Sequence, residues 1–442
     1  MPDKRPRQLA SVLLVTVALL ALAACGTKYP NSTFDNTTDF NTDVNKLWDR
    51  LLLLGTIVFV FVESLLVYTI IRYRKREGAP MPKAVHGHAG LEITWTIIPA
   101  LILAMIAVPT VQTIFKTEAP APSGALEVQV IGHQWWWEFR YPQYGVTTAN
   151  ELYLPAGRTA NFSLQSRDVI HSFWTPELGG KRDLITNHTN HIWYTPIASL
   201  ADTVFNGFCT EYCGSSHANM RLRTYVVAPD KFESWAAHQK ASAAMSPVPA
   251  DSAATAAAAS GKKPVVAAAS IAGALTAAAP AAAAGAPSDG WFFPAAKLPE
   301  YAKPKTPLPE AIKFEDALLA QGDAAAGHDL VTNFAKNMTK APCATCHIIR
   351  GETPGGLKLS DDQATAPNLT HFATRHTFAG GIYAADPRAL ARWIKNAPAM
   401  KPGSIMPTLG LGEYNAMVKK ANATGLSDKE IADIVAYLLS LK

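Results

Sequence analysis

Two long apolar stretches lie in the first third of the chain. Residues 47–73 are almost entirely apolar, with Glu63 among the few exceptions, and residues 93–115 carry no acidic or basic side chain. Each stretch exceeds the roughly 20 residues that cross a hydrocarbon core about 30 Å thick as a helix. The pattern predicts a transmembrane hairpin over residues 47–117, and the basic residues of its loop favour the cytoplasmic side.

Residues 1–24 predict an export signal of the lipoprotein type. A basic start precedes an apolar run, and the run ends in Leu22-Ala-Ala-Cys25-Gly26, which resembles a bacterial lipoprotein cleavage box. We expect cleavage before Cys25, lipidation of its thiol and a periplasmic N-terminal segment over 25–46. An uncleaved membrane anchor is the alternative.

Beyond the hairpin the pattern changes twice. Residues 118–240 contain short alternating runs separated by Gly, Pro and Asn, typical of an all-β Greek-key barrel. Residues 241–307 are rich in Ala and Pro, and we interpret them as a flexible linker rather than a third span, because Ala is only weakly apolar. Residues 308–442 predict a small all-α domain, with one helical pattern over 314–340 and a capping box at Ser427. The fold class is therefore a multidomain membrane protein.

Composition narrows the function classes. Apolar residues make up 48 % of the chain and charged residues 17 %, below the roughly 25 % charged residues of soluble proteins. A fully disordered protein is excluded, and a purely water-soluble enzyme is disfavoured. The formal net charge of +5 is too small to indicate nucleic-acid binding. The five cysteines have no spacing typical of a disulfide framework.

Two of the cysteines belong to a group of metal-binding residue types. Cys209, Cys213, His217 and Met220 fall within one short segment. Thiolate, imidazole and thioether suit copper, and two cysteines four residues apart can bridge two metal ions. A tetrahedral zinc site would not use a Met. A disulfide between the two cysteines is the alternative in an oxidising compartment, and it leaves His217 and Met220 unexplained.

A second motif lies in the C-terminal domain. Cys343-Ala-Thr-Cys346-His347 is the attachment motif for a c-type haem, with His347 as the axial iron ligand. A thioredoxin-like motif would need a βαβ pattern that this region lacks. Residues 401–407 resemble the methionine loop of class I cytochromes c. That resemblance implies Met406 as the second axial ligand, with Met400 as its competitor.

Residues 40–235 resemble subunit II of haem–copper cytochrome c oxidases. Three further segments carry the resemblance, namely Leu91–Pro99, Gly132–Trp137 and Asp168–Trp174. It implies a cupredoxin-like domain holding a dinuclear copper centre, CuA, and the fused C-terminal domain resembles the oxidase type with covalently attached cytochrome c. The implied copper ligands are His171, Cys209, the Glu211 carbonyl, Cys213, His217 and Met220.

The resemblance also implies roles for three other side chains. Trp135 matches the aromatic residue through which electrons enter, although an aromatic cluster can equally be packing. Glu92 matches the carboxylate at the mouth of a proton channel, although a carboxylate at a helix start also favours the helix dipole. The Glu211 side chain would approach Mg²⁺ at the subunit I boundary, or it is a solvated loop carboxylate. His188 and His191 lie where the chain departs from the family pattern, and we do not assign them as ligands.

These features together predict the electron-entry subunit of a terminal respiratory oxidase in a bacterial cytoplasmic membrane. Its CuA and cytochrome c domains would lie on the periplasmic side and deliver electrons to a subunit I that reduces O2 to water and pumps protons. Expected partners also include subunit III and a donor such as a quinol–cytochrome c reductase complex or another cytochrome c. The alternatives are a CuA-type nitric-oxide reductase and a quinol oxidase subunit with a metal-free barrel, against which the complete ligand set argues.

Overall fold

The computed structural model describes residues 15–16, 29–76, 78, 86–243, 245, 291–337, 339–341, 343–351, 359–415 and 418–442. The predicted lipidation site at Cys25 therefore lies outside the described residues. Two helices are long and apolar enough to cross a membrane, α1 (Asp39–Arg72) and α2 (Ala89–Thr117). Most of their large apolar side chains are exposed, as lipid-facing side chains would be.

Helix α1 begins well before the predicted start of the span at residue 47. The Thr38 hydroxyl caps it by accepting the Asn41 amide hydrogen, and its first turns are polar because they contact the β domain rather than lipid. The Asn41 side chain donates to the Glu177 carbonyl at 2.8 Å, and Asp39 accepts the Thr195 amide hydrogen at 2.8 Å. The N-terminal segment and the first predicted span thus share one helix.

The β domain is a sandwich of two five-stranded sheets. Their strand orders are β3-β2-β1-β5-β8 and β4-β10-β9-β6-β7; the β1–β5 and β4–β10 pairs are parallel, and the other neighbouring strands are antiparallel. The strands are β1 (Leu126–His133), β2 (Trp136–Tyr141), β3 (Val146–Ala149), β4 (Glu151–Pro155), β5 (Ala160–Ser166), β6 (His171–Trp174), β7 (Arg182–Leu184), β8 (Asn190–Tyr194), β9 (Thr203–Cys209) and β10 (Arg221–Val227).

Aromatic side chains fill the space between the two sheets. Trp137, Phe162 and Phe173 are buried there, and the rings of Trp137 and Phe173 meet edge-on at 5.7 Å between centroids. Helix α3 (Pro229–Lys240) packs Trp235 against the same core. This is the cupredoxin-like architecture that the sequence predicts.

The C-terminal domain, called the haem domain below, is mainly helical. Its helices are α4 (Ala324–Thr332), α5 (Phe334–Asn337), α6 (Pro387–Met400) and α7 (Asp428–Ser440), with two short hairpins, β11–β12 (Thr377–Phe378, Tyr383–Ala384) and β13–β14 (Tyr414–Asn415, Lys420–Ala421). Helices α4 and α7 approach so closely that a Cβ atom at Gly327 would lie 2.0 Å from the Asp433 carbonyl oxygen. The capping box predicted at Ser427 is present at the start of α7.

The predicted linker over 241–307 is corrected at both of its described ends. Immediately after α3, the Ala243 amide donates to the Arg350 carbonyl at 3.0 Å in the haem domain. At the other end, residues 291–303, called the anchoring segment below, pack on the β domain. Phe293 is fully buried there, and the Arg223 guanidinium donates to the Ala302 carbonyl at 2.6 Å. The reason is that this segment, unlike the Ala-rich stretch before it, carries large side chains that gain by burial.

Candidate copper and haem centres

Three predicted metal ligands meet where strands β6 and β9 lie side by side. The Cys209 sulfur is 3.8 Å from the Cys213 sulfur and 3.9 Å from Nδ1 of His171. The ligand atoms of these three buried residues all lie within 4.8 Å of one another. A disulfide needs a sulfur–sulfur distance of about 2.05 Å, and both thiols are free. The spacing instead leaves room for metal ions between the sulfurs.

The remaining predicted copper ligands surround the same two sulfurs. A short 3₁₀ helix over His217–Asn219 places Nδ1 of His217 3.6 Å from the Cys213 sulfur. The Met220 thioether sulfur lies 4.0 Å from that sulfur, and the Glu211 carbonyl oxygen lies 3.3 Å from the Cys209 sulfur. The Glu211 side chain itself is exposed. The structure thus gathers two thiols, two imidazoles, a thioether and a carbonyl, a donor set that fits two thiolate-bridged copper ions.

The two thiols do not ionise independently. Their mutual contact lowers the pKa of Cys209, with a further contribution from His171, and the same contact raises the pKa of Cys213. The opposite shifts favour a thiolate at Cys209 and a protonated thiol at Cys213. That negative charge lies inside the ligand cluster, where it favours capture of a cation, and a metal would displace the remaining thiol proton.

Asp168 orients one predicted copper ligand, His171, a role that the sequence alone did not indicate. Its carboxylate accepts a hydrogen bond from Nε2 of His171 at 2.7 Å, which leaves Nδ1 for a metal. Burial lowers the pKa of His171, but Asp168 and Cys209 outweigh burial and raise it. Burial raises the pKa of Asp168, yet hydrogen bonds from His171 and from the backbone amides of Gln134 and Val169 lower it overall. The available signal was the position of Asp168, three residues before His171.

Trp135 lies between the ligand cluster and the haem domain. Its indole N–H donates to the Cys213 carbonyl at 2.9 Å, and the side-chain amide of Gln134 donates to the same oxygen at 2.7 Å. On its other side, a Cβ atom at Gly403 of the haem domain would lie 2.5 Å from the indole ring. Trp135 is only 8 % exposed as a result. It contacts both sides of the domain interface.

The haem motif lines a cavity in the haem domain that reaches Trp135. The lining residues include Cys343, Cys346, His347, Met406, Trp135 and Trp136. Nδ1 of His347 donates to the Pro367 carbonyl at 2.7 Å, so Nε2 remains for iron. Burial lowers the pKa of His347 and so favours the neutral imidazole, the form that binds iron. Met400 instead packs into the hydrophobic core of the haem domain and is 5 % exposed.

The other residues singled out from the sequence lie outside both centres. Glu92 is in the first turn of α2, where its carboxylate accepts the His88 amide hydrogen at 3.2 Å. Glu63 is exposed within α1. His188 and His191 are exposed as well, and Nε2 of His188 lies 3.2 Å from the Asn190 side-chain oxygen.

Known protein families match the chain in three successive parts, which correspond to the hairpin, the β domain and the haem domain. The family described as cytochrome C oxidase subunit II, transmembrane domain, matches residues 30–113, and its periplasmic domain matches residues 145–227. The cytochrome c family matches residues 324–442. Cytochrome c oxidase subunit 2 of Bacillus subtilis is 34 % identical over 246 residues, which cover 52 % of this chain and 68 % of that protein. The chain belongs to the cytochrome c oxidase subunit II family.

Other members of the oxidase subunit II family match to different extents. Cytochrome c oxidase subunit 2 of Bacillus sp. strain PS3 is 29 % identical over 381 residues, covering 84 % of this chain and 80 % of the relative. That of Alkalihalophilus pseudofirmus is 37 % identical over 200 residues, covering 43 % of this chain and 57 % of the relative. The crystal structure of the periplasmic domain of Bradyrhizobium japonicum oxidase subunit II matches with 28 % identity and a TM-score of 0.26, covering 27 % of this chain and 97 % of that one.

The family and fold predicted from the sequence are confirmed. The chain is an oxidase subunit with two membrane helices, a cupredoxin-like domain and a cytochrome c domain. The periplasmic-domain family implies CuA copper, and the cytochrome c family implies haem. Membership in an oxidase subunit II family also implies assembly with subunit I.

Proposed function

We propose that this chain carries electrons from its own haem c, through Trp135, to a CuA centre, and from there to subunit I. Bound haem and copper supply the redox chemistry, and the chain holds their ligands in fixed positions. The observation that carries the proposal is the position of Trp135. Its indole N–H is bonded to the Cys213 carbonyl, and its ring contacts the loop that contains Met406. Covalent attachment replaces bimolecular capture of a donor by a high effective concentration.

The copper ligands in this proposal are the six residues gathered around the thiols, namely His171, Cys209, Glu211 through its carbonyl, Cys213, His217 and Met220. Cys209 and Cys213 would supply the two thiolates that hold both ions. Sharing one electron over two bridged coppers keeps the ligand geometry nearly constant during oxidation and reduction. The hydrogen bond that His171 donates to the Asp168 carboxylate supports this rigid geometry.

In this proposal a haem would be attached to Cys343 and Cys346, and His347 and Met406 would hold its iron. The cavity lining supports Met406, and the burial of Met400 in the core argues against Met400. Arg375 also lines the cavity, and burial lowers its pKa to about 10. A half-buried cation at that position suits the carboxylates of a haem.

The membrane context is proposed on the same basis. The hairpin would span a bacterial cytoplasmic membrane with its loop in the cytoplasm, so that both soluble domains lie in the periplasm. The partner subunit I would reduce O2 to water with proton pumping, subunit III would join the complex, and a quinol–cytochrome c reductase complex or another cytochrome c would supply electrons. Glu92 would lie at the mouth of a proton channel, and Glu211 would approach a Mg²⁺ ion at the subunit I boundary.

The proposed domain limits take the packing into account. Residues 1–24 would be a signal peptide removed before a lipidated Cys25, and the hairpin would end at residue 117. Residues 118–240 together with the anchoring segment would form the CuA domain. Residues 308–442 would form the haem domain.

The substitution Cys213→Ser in the assembled oxidase tests the proposal. Loss of one bridging thiolate should abolish the electron paramagnetic resonance signal of an electron shared over two coppers. When O2 is added to the reduced complex, haem c should remain reduced in the variant and become oxidised in the wild type. Tyr212→Phe is the matched control, because that neighbouring ring is 76 % exposed. A shared-electron signal that survives in Cys213→Ser would overturn the copper assignment.

A further inference from the structure

A lysine of the haem domain is buried against the backbone of the CuA domain. Lys401 directly follows helix α6 and is 4 % exposed. Its ammonium donates to the carbonyl of Trp135, across the domain interface. It also donates to the carbonyl of Ala379 in its own domain at 2.9 Å. One side chain thus connects the peptide of the proposed electron-entry residue to the haem domain.

This placement makes the docking position specific. A buried amine is costly to charge, and burial lowers the pKa of Lys401 to about 7. In the described part of the chain its hydrogen-bond partners are the carbonyls of Trp135 and Ala379 rather than a carboxylate. If the haem domain shifted along the interface, Lys401 would lose the Trp135 carbonyl and keep only that of Ala379. A buried N–H group without an acceptor costs more free energy than the hydrogen bond contributes when it is formed. Shifted positions of the haem domain are therefore disfavoured more strongly than the docked position is stabilised.

Two glycines allow the close approach that Lys401 requires. Gly380 has φ +77°, and a Cβ atom there would lie 2.8 Å from the Trp135 carbonyl oxygen and 2.7 Å from that of Asn219. Its own carbonyl accepts the Arg221 amide hydrogen at 2.8 Å. Gly403, with φ +82°, lies against the indole ring on the same loop as Met406. The peptide and the ring of Trp135 therefore contact the haem domain at separate points.

We propose that Lys401 is a positioning residue for electron transfer, which fixes the peptide of Trp135 against the haem domain and thereby sets the separation between the indole and the Met406 loop. The inference rests on the proposed function, because it assumes that electrons pass from haem c through Trp135. It adds a requirement on the docking geometry that the copper and haem ligands alone do not impose. Lys401 acts through its hydrogen bond to the Trp135 peptide, and its charge also lies close enough to Cys213 to lower the pKa of that thiol, although contact with Cys209 raises it overall.

The test uses Lys401→Gln in the full oxidase complex. Haem c is reduced by a rapid photochemical pulse, and the rate of electron transfer to CuA is followed by absorbance. Because small misplacements of reacting groups cost up to about a hundredfold in rate, we expect the rate to fall by about ten- to a hundredfold. The haem reduction potential, the haem spectrum and the CuA spectrum should match the wild type. A purely structural role in haem-domain folding would change the haem spectrum instead.

Two further variants make the result interpretable. Lys395→Gln is the matched control, since Lys395 is also a buried lysine but bonds within the haem domain, to Asp428 at 2.7 Å and to the Lys313 carbonyl at 2.6 Å. It should lower haem-domain stability without slowing the transfer. Gly403→Ala moves the indole without touching Lys401, and it should slow the transfer as Lys401→Gln does.

The outcomes separate this inference from the proposed function. A wild-type rate in Lys401→Gln would overturn the positioning role while the electron route stands. A slower rate accompanied by a shifted haem potential would overturn it as well, because Lys401 would then act on the haem. If the wild-type complex itself showed no transfer from haem c to CuA, the proposed function would be wrong.

Discussion

At the scale of single residues, both proposed centres depend on hydrogen bonds that fix the orientation of an imidazole. Asp168 holds Nε2 of His171, and the Pro367 carbonyl holds Nδ1 of His347. Each bond determines which ring nitrogen remains for the metal, and such supporting bonds make a ligand both rigid and more basic. The two imidazoles therefore use opposite nitrogens, Nδ1 in the copper cluster and Nε2 in the haem cavity.

The methionine ligand can be tested by two substitutions in the same domain. Met406→Ala should remove the weak absorption near ~695 nm expected of a methionine–haem bond and should lower the haem reduction potential, because thioether ligation raises it. Met400→Ala should keep that band. Since Met400 is buried in the core, its truncation should lower the free energy of unfolding by about 2–5 kcal/mol, measured by urea denaturation. The reverse pattern would assign the ligand role to Met400.

Local motifs explain why the sequence predicted most ligands but not their supports. Cys209 to Met220 form one short segment, so their residue types alone indicate a copper site. His171 was assigned only through resemblance, because its proximity to Cys209 comes from the pairing of β6 with β9. Lys401 is 266 residues from Trp135. No periodicity or spacing in a sequence reports a contact of that kind.

At the scale of structural elements, the anchoring segment holds the chain at the boundary between the two soluble domains. The Phe293 ring lies 5.1 Å from that of Tyr225 in the CuA domain. The Phe293 carbonyl accepts a hydrogen bond from Nε2 of His376 in the haem domain at 2.8 Å. A second contact comes from Tyr301, whose hydroxyl donates to the Val204 carbonyl at 2.7 Å. The segment therefore stabilises both the CuA domain and the docked position of the haem domain.

Truncation of Phe293 tests this role. Phe293→Ala should lower the free energy of unfolding by about 3–5 kcal/mol, the usual cost of removing a fully buried Phe, measured by urea denaturation of the full chain. Trp291→Ala is the matched control, because Trp291 is only partly buried in the same segment and should cost less. Equal losses in the two variants would show that the burial of Phe293 does not stabilise the domain.

Composition is a poor guide to element boundaries where tertiary contacts decide. The anchoring segment lies in a region rich in Ala and Pro, a composition typical of a linker. Phe293 is nevertheless buried in the hydrophobic core of the CuA domain. The helical pattern over 314–340 is likewise interrupted, because a 3₁₀ helix covers Asp316–Gln321 and Asp323 caps a new helix. A Cβ atom at Gly322 would lie 2.6 Å from the Ala432 carbonyl oxygen of α7, so packing rather than helix propensity shapes this turn.

At the scale of the whole molecule, polar contacts join the two soluble domains around Trp135. Glu151 is buried in the CuA domain, and its carboxylate accepts amide hydrogens from His376 and Thr377 of the haem domain at 2.8 and 2.9 Å. Arg140 forms an ion pair with Asp362 nearer to solvent. Salt weakens an exposed ion pair more than it weakens a buried hydrogen bond. We therefore attribute the docked position of the haem domain mainly to the buried contacts.

A histidine pair at the edge of this interface predicts that docking weakens in acid. His371 of the haem domain lies 4.4 Å, between ring centroids, from His238 of α3, and it bonds to the Ala241 carbonyl at 3.1 Å. Burial, together with His238 and the nearby Arg375, lowers the pKa of His371 from 6.5 to about 4. When the two domains separate, exposure should return the pKa of His371 toward 6.5. Between about pH 4 and pH 6.5 the undocked state therefore binds a proton more readily than the docked state does.

The contribution of His371 to docking should therefore be constant above about pH 6.5 and should reduce the docked population by up to about tenfold per pH unit as the pH drops toward 4. Hydrogen exchange of the amides in residues 239–243 of the full chain, corrected for the intrinsic pH dependence of exchange, measures this. His371→Asn removes the titrating group and should flatten the profile in that window, whatever its effect on docking strength. His188→Asn alters an exposed histidine and should leave the profile unchanged. An equally steep profile in His371→Asn would show that another group controls the acid response, because a neutral side chain at position 371 has no proton to take up.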